Sequence, residues 1–181
     1  QLCRLLTLGK RRATKAHCTL WLADVAACCQ GMHAIAILTP HWHTTPALNQ
    51  QAKAALTTLR DTFGDRLSLA ACAHLADNDH ASLARIMSLA DELAIAPVAT
   101  NDAHYHILER RMLHDVLCCI RHTTTLSDAG YSLQPNAERY LKSPDQMHQL
   151  FASYPHALAR TLHIAASTRA MSLDLLKYEY P

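Results

Sequence analysis

The residues in this 181-residue chain best suited to chemistry are Asp102-Ala103-His104, with His106 two positions on. At the end of an extended segment, an Asp-x-His pair can place a carboxylate oxygen and an imidazole nitrogen on one metal ion. The same residues have a purely structural reading. Asp102 can cap a following helix, and His104 and His106 can hydrogen-bond to the loop backbone. The residues alone leave both open. Two further histidine positions raise the same question. His74 lies just beyond the apolar run Leu67–Cys72. His41 and His43 flank Trp42, and alternate residues of an extended chain point the same way. The chain holds 13 histidines, so some such spacing arises by chance.

The elements needed to position these residues are legible as alternating patterns. Ala81–Ile95 carries apolar residues at helical spacing (Leu83, Ile86, Met87, Ala90, Leu93, Ala94) and Leu108–Arg121 repeats it through Leu113, Val116, Leu117 and Ile120. Between them Pro97–Thr100 reads as a short buried strand that delivers Asp102 and His104 to its end. Upstream, Gln1–Leu8 predicts a short helix, followed by the basic loop Gly9–Lys15, which is either a phosphate contact or a solvated turn. Leu22–Gln30 predicts a helix stopped at Gly31, and Ala34–Leu38 a buried strand. Pro46–Phe63 predicts a helix with Pro46 in its first turn and Gly64 past its end. Leu67–Cys72 is the next strand, and Asp77-Asn78-Asp79 offers caps for the helix after it. No Asn-Gly or Asp-Gly hairpin turn occurs, so helix and strand alternation implies parallel strands. After residue 122 only helices are indicated. Ser143-Pro144-Asp145-Gln146 has the form of a capping box opening a helix to about Ser153, and Pro155–Ala170 forms another. Leu173–Pro181 reads as an exit segment.

Composition narrows the classes. Half the residues are apolar and 18% are charged, which suits a folded domain rather than a disordered chain. A net charge of +2 is too mild to argue for nucleic acid by itself. Seven cysteines, two pairs of them adjacent and none in a CxxC, indicate neither a disulfide framework nor a zinc ribbon, and reduced thiols fit a cytoplasmic setting. No apolar run approaches a membrane span, so no membrane partner is expected. The chain opens on Gln1 in mid-pattern and is read as part of a longer protein.

The motifs also carry a resemblance. Ala99-Thr100-Asn101-Asp102-Ala103-His104-Tyr105 resembles the last metal-ligand motif of the polymerase-and-histidinol-phosphatase (PHP) domain of bacterial C-family DNA polymerases, the polymerase III alpha type. Glu109-Arg110-Arg111, Asp115-Val116-Leu117, Cys119-Ile120-Arg121, Pro135–Leu141 and Ser172–Pro181 are similar to the error-prone branch. Leu2–Thr7 matches a helix further upstream in that family.

The resemblance implies that residues 1–122 are the C-terminal part of a distorted seven-stranded β/α barrel, a PHP or TIM-like α/β fold. Residues 123–181 would be an all-helical connector to a palm beyond the chain. It implies metal-site positions at Asp102 and His104, with His74 as a possible third and Zn2+ or Mn2+ as the ion. His106 matches no ligand position. Where the family has a Glu near the end of the second strand, this chain has Cys72, whose softer thiol cannot bridge two metals as a carboxylate does. The family's own His-x-His pair belongs upstream of this chain. The implied parent is a DNA-directed DNA polymerase acting on DNA and deoxynucleoside triphosphates in damage-tolerant synthesis and repair, with other damage-tolerance proteins as further partners. Its palm Mg2+ ligands have no counterpart here, so the chain alone is expected to be inactive. The alternatives are a stand-alone PHP-type phosphoesterase or a catalytically inert interaction module.

Overall fold

The structure, a computed structural model, describes residues 1–39, 42–169, 171 and 172. His41, one half of the His41/His43 pair, and the exit segment Leu173–Pro181 lie outside the described residues. Three parallel strands, β1 (Ala34–Ala36), β2 (Leu67–Cys72) and β3 (Ala96–Thr100), form one sheet in that order. The register sets Leu69 opposite Pro97 and Ala71 opposite Ala99. The helices are α1 (Leu2–Arg12), α2 (Leu22–Cys28), α3 (Pro46–Phe63), α4 (Asp79–Leu93), α5 (Arg111–His122), α6 (Pro144–Leu150) and α7 (Pro155–Thr168). Mixed α/β architecture with parallel strands is therefore as the alternation predicts. Among the described residues the sheet is open, and no closed barrel is formed.

Local chemistry explains the sharpest boundaries. Thr45 accepts the Leu48 amide at 3.2 Å, Pro46 opens α3, and Gly64 closes it with φ of 58°. That left-handed conformation costs glycine little. At α6 the predicted capping box is present in both halves. Gln146 N donates to Ser143 Oγ at 3.3 Å and Ser143 N to Gln146 Oε1 at 2.8 Å. The helix it opens ends at Leu150, short of Ser153, because Phe151 leaves the helix to fill a fully buried position.

The core lies in two contiguous clusters. Leu56 and Phe63 of α3 and Leu89, Ala90 and Leu93 of α4 meet Leu67 and Leu69 of β2. Leu83 and Met87 of α4 meet Ala71, Ala99, Phe151 and Ala157. Burying each large aliphatic or aromatic side chain stabilises the fold by about 1.5–3 kcal/mol. The segment after residue 122 joins this core. α7 makes its main contacts with β3, and Arg160 crosses to β2. Its Nε donates to Ser68 Oγ at 2.9 Å, and its Nη2 donates to the carbonyl of Leu67 at 3.2 Å and to that of Asp65.

Four expectations are corrected. α1 does not stop at Leu8, so Gly9–Arg12 are its last turn and not a loop. Gly9 is buried there, and Cys18 and Leu20 fill the space that a Cβ at this position would need. β1 is shorter than Ala34–Leu38 and not buried throughout, with Ile37 80% exposed, because β1 is the sheet's edge and has a neighbour on one side only. The apolar stripe of α5 faces outward: Leu113, Leu117 and Ile120 are exposed, while Asp115 and Cys119 are the buried residues. The Asp77-Asn78-Asp79 side chains do not cap α4. Asn78 sits at the cap without a side-chain bond, and the Asp79 carboxylate accepts the backbone N–H groups of His74 and Ala76 instead.

Candidate functional site at the strand ends

β2 and β3 end side by side, so Cys72 and His74 of one loop approach Asn101, Asp102 and His104 of the other. Loop residues beyond parallel strands are where α/β folds place their chemistry. Here a third segment, residues 136–141, closes over both. Asn136 Nδ2 donates to the His74 carbonyl at 2.6 Å, and Asn101 Nδ2 donates to the Tyr140 carbonyl. The amides of His104 and Tyr105 donate to Arg139 O at 2.8 and 3.3 Å, and Leu141 N donates to Tyr105 O at 3.1 Å. Tyr105 and Tyr140 pair in a parallel bridge.

That segment brings the decisive side chain. Arg139 Nη1 donates to Asp102 Oδ2 in a close ion pair. Asp102 adopts φ of 44°, a left-handed conformation that Asp tolerates better than most residues. His104 Nε2 lies 3.5 Å from Asp102 Oδ1, so the two residues predicted as a pair are neighbours. The other ring nitrogen of His104 is used elsewhere: Nδ1 is 3.0 Å from His114 Nε2 on α5, one imidazole donating and the other accepting. Cys118 Sγ lies 3.7 Å from the same His114 ring. Asp102 is therefore not a helix cap. α5 begins nine residues later and has Arg110 at its cap position.

His74 is separate from this pair. Its Nε2 is 3.1 Å from the Asn101 carbonyl. A carbonyl only accepts, so Nε2 carries the proton. Burial, aided by Arg139, holds the His74 pKa below its usual value and keeps the ring neutral. Cys72 Sγ and Thr100 Oγ1 are 2.7 Å apart, and burial raises the thiol above its ordinary range, outweighing the hydroxyl that lowers it. This cysteine is a protonated hydrogen-bonding group rather than a thiolate ligand.

Among the described residues these side chains do not assemble a three-ligand site for Zn2+ or Mn2+. Asp102 already has a permanent cation on one oxygen, His104 Nδ1 and His74 Nε2 are spent on protein partners, and the Cys72 thiol holds its proton. Among the described residues no three His, Cys, Asp or Glu side chains converge on one point. A recess of about 430 Å3 at the strand ends is lined by Trp42, His43, His74, Arg85, Asn136 and Arg139. Asp79 is its one carboxylate, already committed to two backbone amides. His43 Nδ1 is buried there with no hydrogen-bond partner among the described residues.

Arg139, His114 and Arg85 were not legible as site residues. Arg139 lies within the Pro135–Leu141 motif, but no spacing rule joins it to Asp102, 37 residues earlier. The helical spacing of His114 and Cys118 was available, yet α5 read as apolar.

No protein-family model matches the chain. Over all 181 residues it is 40% identical to error-prone DNA polymerase 2 of Agrobacterium fabrum. It is 39% identical to error-prone DNA polymerase 2 of Rhizobium meliloti and 39% to the error-prone DNA polymerase of Rhodopseudomonas palustris. The chain spans 16% of the length of each of these relatives. It is thus homologous, from end to end, to one segment of the error-prone DNA polymerases.

Proposed function

We propose that this chain is a scaffold segment of an error-prone DNA polymerase and holds none of the polymerase's catalytic groups. The parent would transfer nucleotides from deoxynucleoside triphosphates onto a DNA primer during damage-tolerant synthesis in the cytoplasm. Nucleotidyl transfer needs acidic residues that fix two Mg2+ ions against the triphosphate, and those residues would lie outside this chain. The three parallel strands would form part of a distorted barrel completed by other segments, with residues 123–181 running towards the palm. The observation that carries the reading is identity of 36–40% along all 181 residues to proteins of that name. The Arg139–Asp102 pair adds to it, because a guanidinium supplies at the strand ends the positive charge that a metal would otherwise bring.

Primer extension by the full-length protein tests both parts. With the scaffold role, Asp102→Asn and Arg139→Gln each leave the extension rate within about threefold of wild type. Removing a group that acts on the transition state typically costs on the order of 10²-fold or more. A loss of that size in Asp102→Asn, with the protein still folded, would place chemistry at the strand ends and end the scaffold reading. Full-length protein unable to extend any primed template would end the polymerase reading.

A further inference from the structure

We infer that the N-terminal end of the molecule is a docking surface for single-stranded DNA. Lys10, Arg11 and Lys15, with Arg4 behind them, would track the phosphates, and Trp21 would stack a base. The inference rests on the polymerase reading, and it assigns a nucleic-acid contact within this chain.

The mild net charge conceals a strong polarity. Residues 1–17 hold five cations (Arg4, Lys10, Arg11, Arg12, Lys15) and no carboxylate. The remaining residues therefore hold 12 cations against 15 carboxylates, so +2 is the sum of +5 and −3. Lys10, Arg11 and Arg12 form the last turn of α1, where the helix dipole presents about half a negative charge. Arg12 spends its own charge on Asp24, donating to both carboxylate oxygens. Four cations remain, all exposed and with no carboxylate partner among the described residues, several times what the dipole can balance.

The structure also fixes their arrangement and supplies an aromatic neighbour absent from the local sequence. The turn carrying Lys15 folds back along α1, with His17 N donating to Thr14 O and Thr19 N to Gly9 O, both at 3.0 Å. Asp24 binds the Arg12 guanidinium and, at 2.8 Å, the Trp21 amide. That shared carboxylate ties the Trp21 backbone to Arg12 at the end of α1, and Trp21 is 62% exposed. An exposed flat ring on the segment that folds back from a basic helix end suits single strands, because every base offers a face to stack while the phosphates follow the charge. A duplex hides its base faces.

Binding of a fluorescent oligothymidylate of about 16 nucleotides to the 181-residue chain tests the inference. Four phosphate contacts on a single strand give a salt slope of about −2.8, a loss of about 50-fold in affinity between 50 and 200 mM salt. The triple variant Lys10→Gln/Arg11→Gln/Lys15→Gln flattens the slope by about 2. Gln is nearly as good a helix former as Lys or Arg, so α1 is kept. The control Arg110→Gln/Arg121→Gln/Arg169→Gln removes the same net charge from other exposed surfaces and leaves the slope unchanged. In a Trp42→Phe background the oligonucleotide quenches the fluorescence of Trp21, and Trp21→Ala weakens binding by about tenfold. The inference is overturned if the oligonucleotide does not bind, if both triple variants lower the slope equally, or if phosphatidylserine vesicles bind better than the oligonucleotide at equal salt. Primer extension by the full-length protein despite no binding here would sink this surface alone and leave the polymerase reading standing.

Discussion

Arg160→Ala is the perturbation that best tests whether the segment after residue 122 is structurally part of the sheet. Arg160 leaves α7 to meet Ser68 Oγ at 2.9 Å and the carbonyls of Leu67 and Asp65. Ser68 is fully buried, and Arg160 is its only side-chain partner among the described residues. A hydrogen bond from a charged donor contributes about 1.5–3 kcal/mol, and a buried hydroxyl left unpaired costs about 1–3 kcal/mol. Arg160 is only half-buried, so water replaces it at the outer carbonyl and that contact is discounted. The net expectation is a loss of about 3 kcal/mol, a fall in Tm of about 6–12 °C for a chain of this size. Urea unfolding followed by circular dichroism measures it. Ser68→Ala removes the group that would be orphaned, so in that background Arg160→Ala costs about 1.5 kcal/mol less. A loss below about 1 kcal/mol, or the same loss with and without Ser68, would refute the reasoning and leave α7 as a loosely attached appendage.

Two further outcomes follow from single positions. Gly9→Ala in α1, normally stabilising for a helix interior by about 1 kcal/mol, should here destabilise by about 1–3 kcal/mol, because its Cβ would stand 2.5 Å from Cys18 Sγ and 2.8 Å from Leu20 Cγ; a raised Tm would contradict the crowding. His74 has its folded pKa below the unfolded value, so its contribution to stability is complete above about pH 6.5 and is lost as pH falls through the lowered value; His74→Gln should flatten the stability profile on that acid side, and a wild-type profile that rises on acidification would reverse the sign.

Helix and strand identity was legible wherever the chain punctuates itself. Thr45-Pro46 and Gly64 bracket α3, and Leu67–Cys72 stands out as an apolar run of strand length; both elements have the predicted bounds. The capping box at Ser143 is a local device that works without tertiary help. Orientation was not legible. The apolar stripe of α5 is strong, but a stripe does not say on which side the core lies, and here Asp115 and Cys119 face inward while Leu117 and Ile120 face out. α1 ran past Gly9 because glycine there answers a close approach by Cys18 and Leu20, which no local signal reveals. Net charge was similarly opaque, since a sum discards position.

The candidate site shows the same limit in its sharpest form. A carboxylate and an imidazole two residues apart suit a metal, and Asp102 and His104 are neighbours in the fold. Whether such a pair serves a metal depends on what else reaches it. At these strand ends the visitor is the segment 136–141, which meets the loops with backbone groups, with Asn136 and with a guanidinium. A guanidinium is charged at every physiological pH and is tethered to the chain, whereas a bound metal must be won from solution against protons on its ligands. The partner that the fold gives Asp102 is thus Arg139, a residue with no place in any ligand motif. It also ties the strand ends to the segment after residue 122, so the loops and that segment hold one another in place.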